Sequence, residues 1–539
     1  MWKFICFWRK TTMFNFEKII CERKRMGLSQ EKLGALLGVS RQAIQKWESG
    51  GATPDLAHLI SMADVFGVTL DSFASETTEN NTSSDNTNDL PDYNNWSSWE
   101  SYSKTLKIEY KQSIDEGKDI SKYASLFDAV ASMPEAFEKD EIADILYKMV
   151  RDAKQVENYK YTEPSDYEHI CRLCSEEHAE LKMPEKDVVA DKVYGGWLGR
   201  ICGCYLGKPI EGILKPTLDE ILKRTNNYPI SRYISREEIT EEVMKDISFP
   251  IDKRAYPSDF GMMPVDDDTN YILIGYIILK KFGRDFTPND VMNVWIERQG
   301  KNAYCTAERV AYRNFVNGFR PPVSAVYKNA YREYIGAQIR GDFFGYVNPC
   351  DPKTAASMAF RDASISHVKN GIYGEMWVSA MIAAAFGTDD IKEIIKTGLA
   401  YIPKTSRLYE SINEVITDYE NGVNIEDVWK KLHANWNEKN NYDWCHTISN
   451  AIIVAASLLY GEKDYGKTVC LSVSEGFDTD CNAATAGSIL GVALGGSNIP
   501  EYWGGRVNDT LCASIFGFDK VSIREMAKKT LDFFPENIK

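Results

Sequence analysis

The chain has 539 residues, with 63 lysines and arginines against 78 aspartates and glutamates, so its formal net charge is −15. This length predicts two to four domains, and the acidic balance argues against broad, nonspecific binding of nucleic acid by the whole molecule. The twelve cysteines follow no regular spacing, and no apolar run is long enough to span a bilayer. These features predict a reduced, cytoplasmic protein without a membrane partner.

The first predicted domain is a helical bundle over residues 14–75. A helix that starts near Phe16 ends at Gly27, and Ser29 and Ser40 stand where a serine side chain can cap the next two helices. The run LSQEKLGALLGVSRQAIQKWESG resembles the Cro/CI-type helix-turn-helix family, whose third helix enters the major groove of DNA. The resemblance implies a DNA-binding domain that reads two half-sites as a homodimer.

Four residues of the third helix are expected to face DNA: Arg41, Gln42, Gln45 and Lys46. Arginine and glutamine reach base edges with bidentate geometry that favours guanine and adenine respectively. Ala43, Ile44 and Trp47 then form the core side of the helix. The alternative is a small bundle used for protein contact, which the helix-turn-helix spacing makes the weaker interpretation.

Residues 76–99 are rich in asparagine, serine, threonine and aspartate, a composition that predicts a flexible linker. Residues 100–186 return to a helical period without any motif, so a dimerisation element, a spacer and a cover for an active site all remain open. From residue 187 to the end, long helical patterns dominate and strand-like alternation is scarce. The fold class predicted for the chain is therefore all-α.

Two acidic segments stand at the starts of predicted helices. Residues 266–269 read DDDT before an apolar run, and Asp478 and Asp480 precede the small-residue stripe Ala483, Gly487, Gly491 and Gly495. The stripe predicts close approach by a helix or a ligand. Crowded carboxylates beside apolar residues are unfavourable without a cation, and Mg²⁺ or Ca²⁺ prefers such oxygen ligands. Either segment alone fits a charged helix cap, whereas both together predict a dinuclear metal site.

Four segments, in order, resemble the ADP-ribosylglycohydrolase family: residues 203–211, 266–269, 362–374 and 476–480. Members are all-α enzymes that use two Mg²⁺ ions to release ADP-ribose from modified side chains or related esters. The resemblance covers residues 187–539 and implies a set of metal ligands, namely Asp266, Asp267, Asp268, Thr269, Asp478 and Asp480. It implies catalytic roles for Glu211 and Asp268. It also implies ADP-ribose-binding residues, which are His367, Gly371, Tyr373 and Gly374.

Three positions depart from the family pattern. Asp266 and Cys481 each replace a threonine, and Cys204 stands where many members have aspartate. Sulfur is a soft donor and a poor ligand for Mg²⁺. The expected function is that of a DNA-binding, magnesium-dependent ADP-ribosylglycohydrolase. The alternatives are a transcription regulator that senses ADP-ribose or a related nucleotide without catalysis, and a scaffold with a degenerate enzyme fold.

Overall fold

The computed structural model describes residues 16–66, 68 and 92–535. The chain divides into two compact units, Met1–Asp89 and Leu90–Lys539. Throughout the described residues the structure is helical apart from one two-stranded sheet, so the all-α prediction is confirmed. None of these helices is long and apolar enough to cross a membrane. Most of the predicted linker, residues 76–91, lies outside the described residues.

The first unit contains four helices: α1 (Phe16–Arg25), α2 (Gln30–Leu37), α3 (Arg41–Glu48) and α4 (Leu56–Phe66). Both predicted caps form, because Ser29 accepts a hydrogen bond from the Lys32 backbone N–H and Ser40 accepts one from that of Ala43. The apolar faces of the four helices meet in one small core. The helical bundle predicted from the sequence is therefore confirmed.

The second unit starts with turns at residues 92–101 and four helices: α5 (Leu106–Asp115), α6 (Ala124–Ala131), α7 (Phe137–Asp152) and α8 (Tyr167–Leu173). The helices that follow are α9 (Lys186–Gly207), α10 (Lys215–Arg224), α11 (Glu241–Met244), α12 (Pro257–Phe260) and α13 (Asp267–Phe282). A short 3-10 turn, Lys208–Ile210, extends α9.

The next helices are α14 (Pro288–Arg298), α15 (Thr306–Val316), α16 (Val323–Val326), α17 (Asp342–Tyr346), α18 (Pro352–Ala363), α19 (Asn370–Ala385), α20 (Ile391–Leu399) and α21 (Arg407–Glu420). The last are α22 (Ile425–Asn435), α23 (Asn441–Trp444), α24 (Thr447–Tyr460), α25 (Tyr465–Val473), α26 (Thr479–Leu494), α27 (Glu501–Gly504) and α28 (Ile523–Thr530). Strands β1 (Thr510–Cys512) and β2 (Lys520–Ser522) pair antiparallel, with Leu511 opposite Val521.

Helices α9 and α26 form the centre of this unit and run antiparallel in backbone contact. A Cβ on Gly199 would lie 2.2 Å from the Gly487 carbonyl oxygen, and a Cβ on Gly203 would lie 2.0 Å from that of Ala483. At the end of the pair, the Thr479 hydroxyl donates to the Gly207 carbonyl over 2.9 Å. The close approach predicted from the α26 stripe is confirmed, and the neighbour is a helix with its own glycine stripe.

We predict that Gly203→Ala destabilises the second unit by about 1–3 kcal/mol, because the added methyl overlaps the backbone of α26. In an open helix the same change would stabilise by roughly 1 kcal/mol, so the sign is diagnostic. Urea unfolding followed by circular dichroism measures the difference. Gly300→Ala is the matched control, because nothing lies within 4 Å of its Cβ position. A stabilising Gly203→Ala would contradict the close contact.

Residues 92–186 are attached to the rest of the unit by buried charges. The Arg332 guanidinium contacts Glu109 at 2.9 Å and Glu116 at 2.5 Å, and the Arg407 guanidinium contacts Glu163 at 2.8 Å. Each of these carboxylates comes from residues 92–186, and each arginine comes from the later helices. Residues 100–186, for which the sequence offered no motif, are therefore bound to the domain that follows them.

Candidate active site

The two acidic segments meet at the ends of the central helix pair. Asp480, near the start of α26, has a carboxylate oxygen within 4.8 Å of ligand atoms of Asp268, and it shares a second such group with Asp478 and Glu211. Glu211 follows the turn that extends α9. Because α9 and α26 are in register through their glycines, the end of one helix lies against the start of the other. Segments about 210 residues apart in sequence thus form one cluster.

Asp266 is the N-cap of α13 and fixes the first segment. Its Oδ1 accepts from the Asp268 backbone N–H over 2.9 Å, and its Oδ2 pairs with the Lys208 ammonium at 2.5 Å. The Thr269 hydroxyl donates to the Asp266 carbonyl over 3.2 Å. Asp267 is half-buried, whereas Asp266, Asp268 and Thr269 are buried. The residue that replaces the family threonine therefore caps the helix and holds a lysine.

Asp268 is fully buried and is held by a cation from inside α9. Its Oδ1 accepts from the Arg200 guanidinium at 3.0 Å, and the same guanidinium contacts Asp342 at 2.9 Å. The other oxygen, Oδ2, is buried and makes no hydrogen bond with the described residues. Buried polar atoms almost always have a hydrogen-bond partner or a bound ion, so this oxygen is a candidate ligand for a cation.

The second segment follows a turn in which Gly476 and Phe477 have φ of 73° and 56°. The Asp478 backbone N–H donates to the Asn450 amide oxygen over 3.2 Å, and the Cys445 thiol donates to Asp478 Oδ2 over 3.5 Å. The Cys481 N–H donates to Asp480 Oδ1 over 3.1 Å. These contacts hold both carboxylates at the start of α26.

The cluster carries an excess of negative charge. Its carboxylates are Asp266, Asp267, Asp268, Asp478, Asp480 and Glu211, and in the described chain the cations paired with them are Lys208, Arg200 and Arg254. Burial, then the charges of Asp266 and Asp480, raise the pKa of Asp267 to about 7. The charge of Asp480, then burial, raises the pKa of Glu211 well above its usual range. Divalent cations neutralise such clusters, so the donor set fits a metal centre.

Residues 185–536 match the sequence pattern of the family described as ADP-ribosylglycohydrolase, and this match spans more than half of the chain. The chain belongs to the ADP-ribosylglycohydrolase family. A helix-turn-helix family pattern matches residues 22–73. No curated protein matches the chain at a significant level. One solved structure, an "ADP-ribosylglycohydrolase-related protein complex", is 16% identical and covers 65% of this chain and 98% of its own, with a TM-score of 0.38.

Membership in the ADP-ribosylglycohydrolase family supports a glycohydrolase-type enzyme, and its members generally depend on a metal. The helix-turn-helix match supports DNA binding. Sequence reasoning missed Arg200, Lys208 and Cys445 at the site. An arginine within the apolar pattern of α9, and a lysine inside the glycine-rich segment, were the available signals for the first two.

The four residues predicted to bind ADP-ribose all lie in the interior of the ADP-ribosylglycohydrolase domain. The His367 ring is 1% exposed, and its Nδ1 bonds the Ser366 hydroxyl over 2.8 Å. Burial, then the nearby Arg340 charge, lowers the pKa of His367 well below its usual range. Its Nε2 is buried without a hydrogen-bond partner in the described chain. This imidazole is therefore neutral and retains one unused nitrogen.

The glycines and the tyrosine of this set pack against neighbouring elements. A Cβ on Gly371 would lie 2.8 Å from the Arg332 carbonyl oxygen, and one on Gly374 would lie 2.5 Å from a threonine hydroxyl of α24. The Tyr373 hydroxyl donates to the Pro164 carbonyl. Among the described residues, no hydrogen bond or ion pair links these residues or His367 to the acidic cluster. Their predicted role in ADP-ribose binding stays a prediction.

The third helix of the first unit presents its predicted face to solvent. Arg41, Gln42, Gln45 and Lys46 are all exposed, whereas Ile44 and Trp47 are buried. The Arg23 guanidinium pairs with Glu48 at 2.5 Å, and the Gln30 amide donates to the same carboxylate over 2.7 Å. Glu48, which sequence reasoning did not single out, therefore links α1, α2 and α3 and fixes the orientation of α3.

Proposed function

We propose that this chain is a DNA-binding ADP-ribosylglycohydrolase that depends on divalent cations to hydrolyse a glycosidic or ester bond of ADP-ribose. The observation that supports it most directly is the convergence of Glu211, Asp478 and Asp480 beside Asp268, within a domain of this family. A pair of distant acidic motifs brought to one point, with a buried orphan oxygen, suits cation-assisted hydrolysis better than a charged helix cap.

The proposed metal ligands are Asp266, Asp267, Asp268, Thr269, Asp478 and Asp480. Two divalent cations bound there would supply Lewis acidity, orient ribose hydroxyls and lower the pKa of a bound water. Arg200 and Lys208 hold Asp268 and Asp266 in place, so these two carboxylates are positioned before any ion binds. Because Asp268 is fully buried, we assign its part in catalysis to ion binding through Oδ2.

Glu211 is the proposed catalytic acid and base. Its side chain is 35% exposed at the edge of the cluster, and Arg254 donates to its backbone carbonyl over 2.9 Å. A carboxyl at this edge reaches a substrate that the buried aspartates do not contact directly. Glu211 would give a proton to the leaving group as the bond to C1″, the anomeric carbon of the distal ribose, breaks. It would then take a proton from the attacking water.

Release of ADP-ribose from singly modified arginine and serine peptides tests the proposal. The full-length chain is incubated with each peptide and with Mg²⁺ or Zn²⁺ in turn, with and without a chelator, and free ADP-ribose is measured. Metal-dependent release is expected. Tight binding of ADP-ribose without release from any modified substrate would favour the regulator that senses the nucleotide. If the chain neither binds nor releases ADP-ribose, that result would contradict both the enzyme and the nucleotide sensor.

The first unit is proposed to bind DNA as a homodimer, with α3 in the major groove and half-sites about 34 Å apart. We predict that Arg41→Ala weakens binding to DNA upstream of the chain's own gene by about 1–3 kcal/mol, because an exposed base contact is lost. Ser61→Ala on α4 is the control. Fluorescence anisotropy at several salt concentrations measures both. Unchanged affinity in both Arg41→Ala and Lys46→Ala would contradict the assigned face.

A further inference from the structure

Two thiols lie inside the carboxylate cluster, and they occupy two of the three positions where the sequence departs from its family. Cys204 of α9 is fully buried, and its Sγ lies within 4.8 Å of ligand oxygens of Asp266 and Asp268. Cys481 of α26 is 7% exposed, and its Sγ lies within 4.8 Å of ligand oxygens of Asp268 and Asp480. Asp268 belongs to both groups, so both thiols lie beside the same carboxylate.

The geometry matches the reach of a single small ion. Zinc binds sulfur at about 2.3 Å and carboxylate oxygen at about 2.0–2.2 Å, so the ligand atoms of a tetrahedral site lie roughly 3.4–3.8 Å apart. The ligand atoms of Cys481, Asp268 and Asp480 all lie within 4.8 Å of one another. Three protein ligands with a fourth position left for water is the arrangement of catalytic zinc sites.

A second observation, independent of the thiols, points to a ligand. Asp268 Oδ2 is buried and unpartnered among the described residues, while Arg200 holds the other oxygen of the same carboxylate. This oxygen belongs to Asp268, which is a member of both the Cys204 group and the Cys481 group of candidate ligands. An ion there would satisfy that oxygen, and the soft sulfur donors would decide which ion binds.

We propose that this centre selects a thiophilic divalent cation, zinc, over Mg²⁺, with Cys481, Asp268 and Asp480 as ligands and Cys204 at the same carboxylate. Mg²⁺ is bound through oxygen and gains little from sulfur, whereas zinc gains from each thiolate. Each thiol that binds loses its proton to solvent, so zinc uptake releases protons. The proposal rests on the proposed function only in placing the cation in the same cluster.

The test uses the full-length chain after chelator treatment, titrated separately with Cd²⁺, Zn²⁺ and Mg²⁺. Cd²⁺ is the spectroscopic probe, because thiolate ligation gives an ultraviolet charge-transfer band that oxygen ligands do not give. Zn²⁺ affinity is measured by competition with a chromophoric chelator. Variants Cys481→Thr and Cys204→Asp restore the family residues. Cys202→Ser is the matched control, since Cys202 is equally buried on α9 but its thiol faces the Trp503 carbonyl.

Wild type and Cys202→Ser should give the band and bind Zn²⁺ more tightly than Mg²⁺. Cys481→Thr should lower Zn²⁺ affinity by about tenfold or more, and the double variant with Cys204→Asp should lose the band. A wild type without the band, a band that survives in the double variant, or tighter binding of Mg²⁺ than Zn²⁺ would each overturn the inference.

These readouts need no catalysis, so the two proposals fail separately. A band that depends on Cys481, with no release of ADP-ribose under either ion, would refute the proposed function and leave the zinc site standing. Release that requires Mg²⁺, with no sulfur band, would refute the zinc site and support the proposed function.

Discussion

Asp480→Asn should lower the rate of ADP-ribose release by more than about a hundredfold. Substitution of residues that merely support a metal ligand already costs 10–100-fold, and Asp480 takes part in two of the candidate ligand groups. The amide keeps the shape of the side chain but removes its charge. Single-turnover release from the best modified peptide measures the effect, and equilibrium titration measures the accompanying loss of cation affinity.

Stability distinguishes loss of an ion ligand from misfolding in this variant. Asp480 repels its neighbours, since its charge raises the pKa values of Glu211 and, after burial, of Asp478. Without a cation, Asp480→Asn should therefore be at least as stable as wild type. Asp464→Asn, at the N-cap of α25, is the control and should keep its activity. A fully active Asp480→Asn would end the proposed role of the cluster.

The first unit was predictable in detail because its determinants are local. Serine caps, the glycine between α2 and α3, and the periodic apolar positions act over three or four residues, so the exposed face of α3 follows from the sequence. An unpredicted feature of its described residues is the pairing of Arg23 with Glu48, which joins residues 25 apart. Contacts at that separation leave no periodic trace in a single sequence.

The acidic motifs were predictable as a ligand set, but their convergence depends on two glycine stripes. The sequence contains Gly195, Gly199, Gly203 and Gly207 at intervals of four, as it does the stripe of α26. Backbone contacts between residues about 280 apart decide which glycine stripe packs against which. A single sequence does not allow this pairing to be predicted. The cations Arg200 and Lys208 were missed for the same reason, since their partners Asp268 and Asp266 lie in the first turn and at the N-cap of α13.

The segment from 100 to 186 was the least predictable part of the chain. Its helices were predictable from the helical spacing of apolar residues. Its function was not, because the residues that it contacts lie more than 200 positions away in the sequence. Gln112 donates to Glu333 over 2.8 Å, and Asn370 at the start of α19 donates to Glu163 over 2.8 Å. These contacts reach the helix that carries Gly371 and Gly374. These contacts show that the segment packs against this part of the domain, and the three roles that the sequence left open stay predictions.

Arg332→Met should therefore lower the free energy of unfolding of the second unit by about 3–5 kcal/mol, because it leaves Glu109 and Glu116 buried without their main cation. Urea unfolding at neutral pH measures the change. Lys430→Met is the control, since it breaks an exposed pair with Asp427 and should cost only a small fraction of that amount. Equal effects of the two substitutions would show that residues 92–186 contribute little to the fold.

The pH dependence of the stability difference between wild type and Arg332→Met identifies the cause of that difference. Burial favours the neutral form of Glu116, but the charges of Arg332 and Lys369 outweigh it and lower the pKa to about 2, from an ordinary value of 4.5. The ionised pair therefore stabilises wild type fully above pH 4.5, and this stabilisation is lost as the pH falls through about 2. The gap between wild type and Arg332→Met should narrow over the same interval. A gap that stayed constant from neutral pH to pH 2 would assign the loss to packing instead of charge.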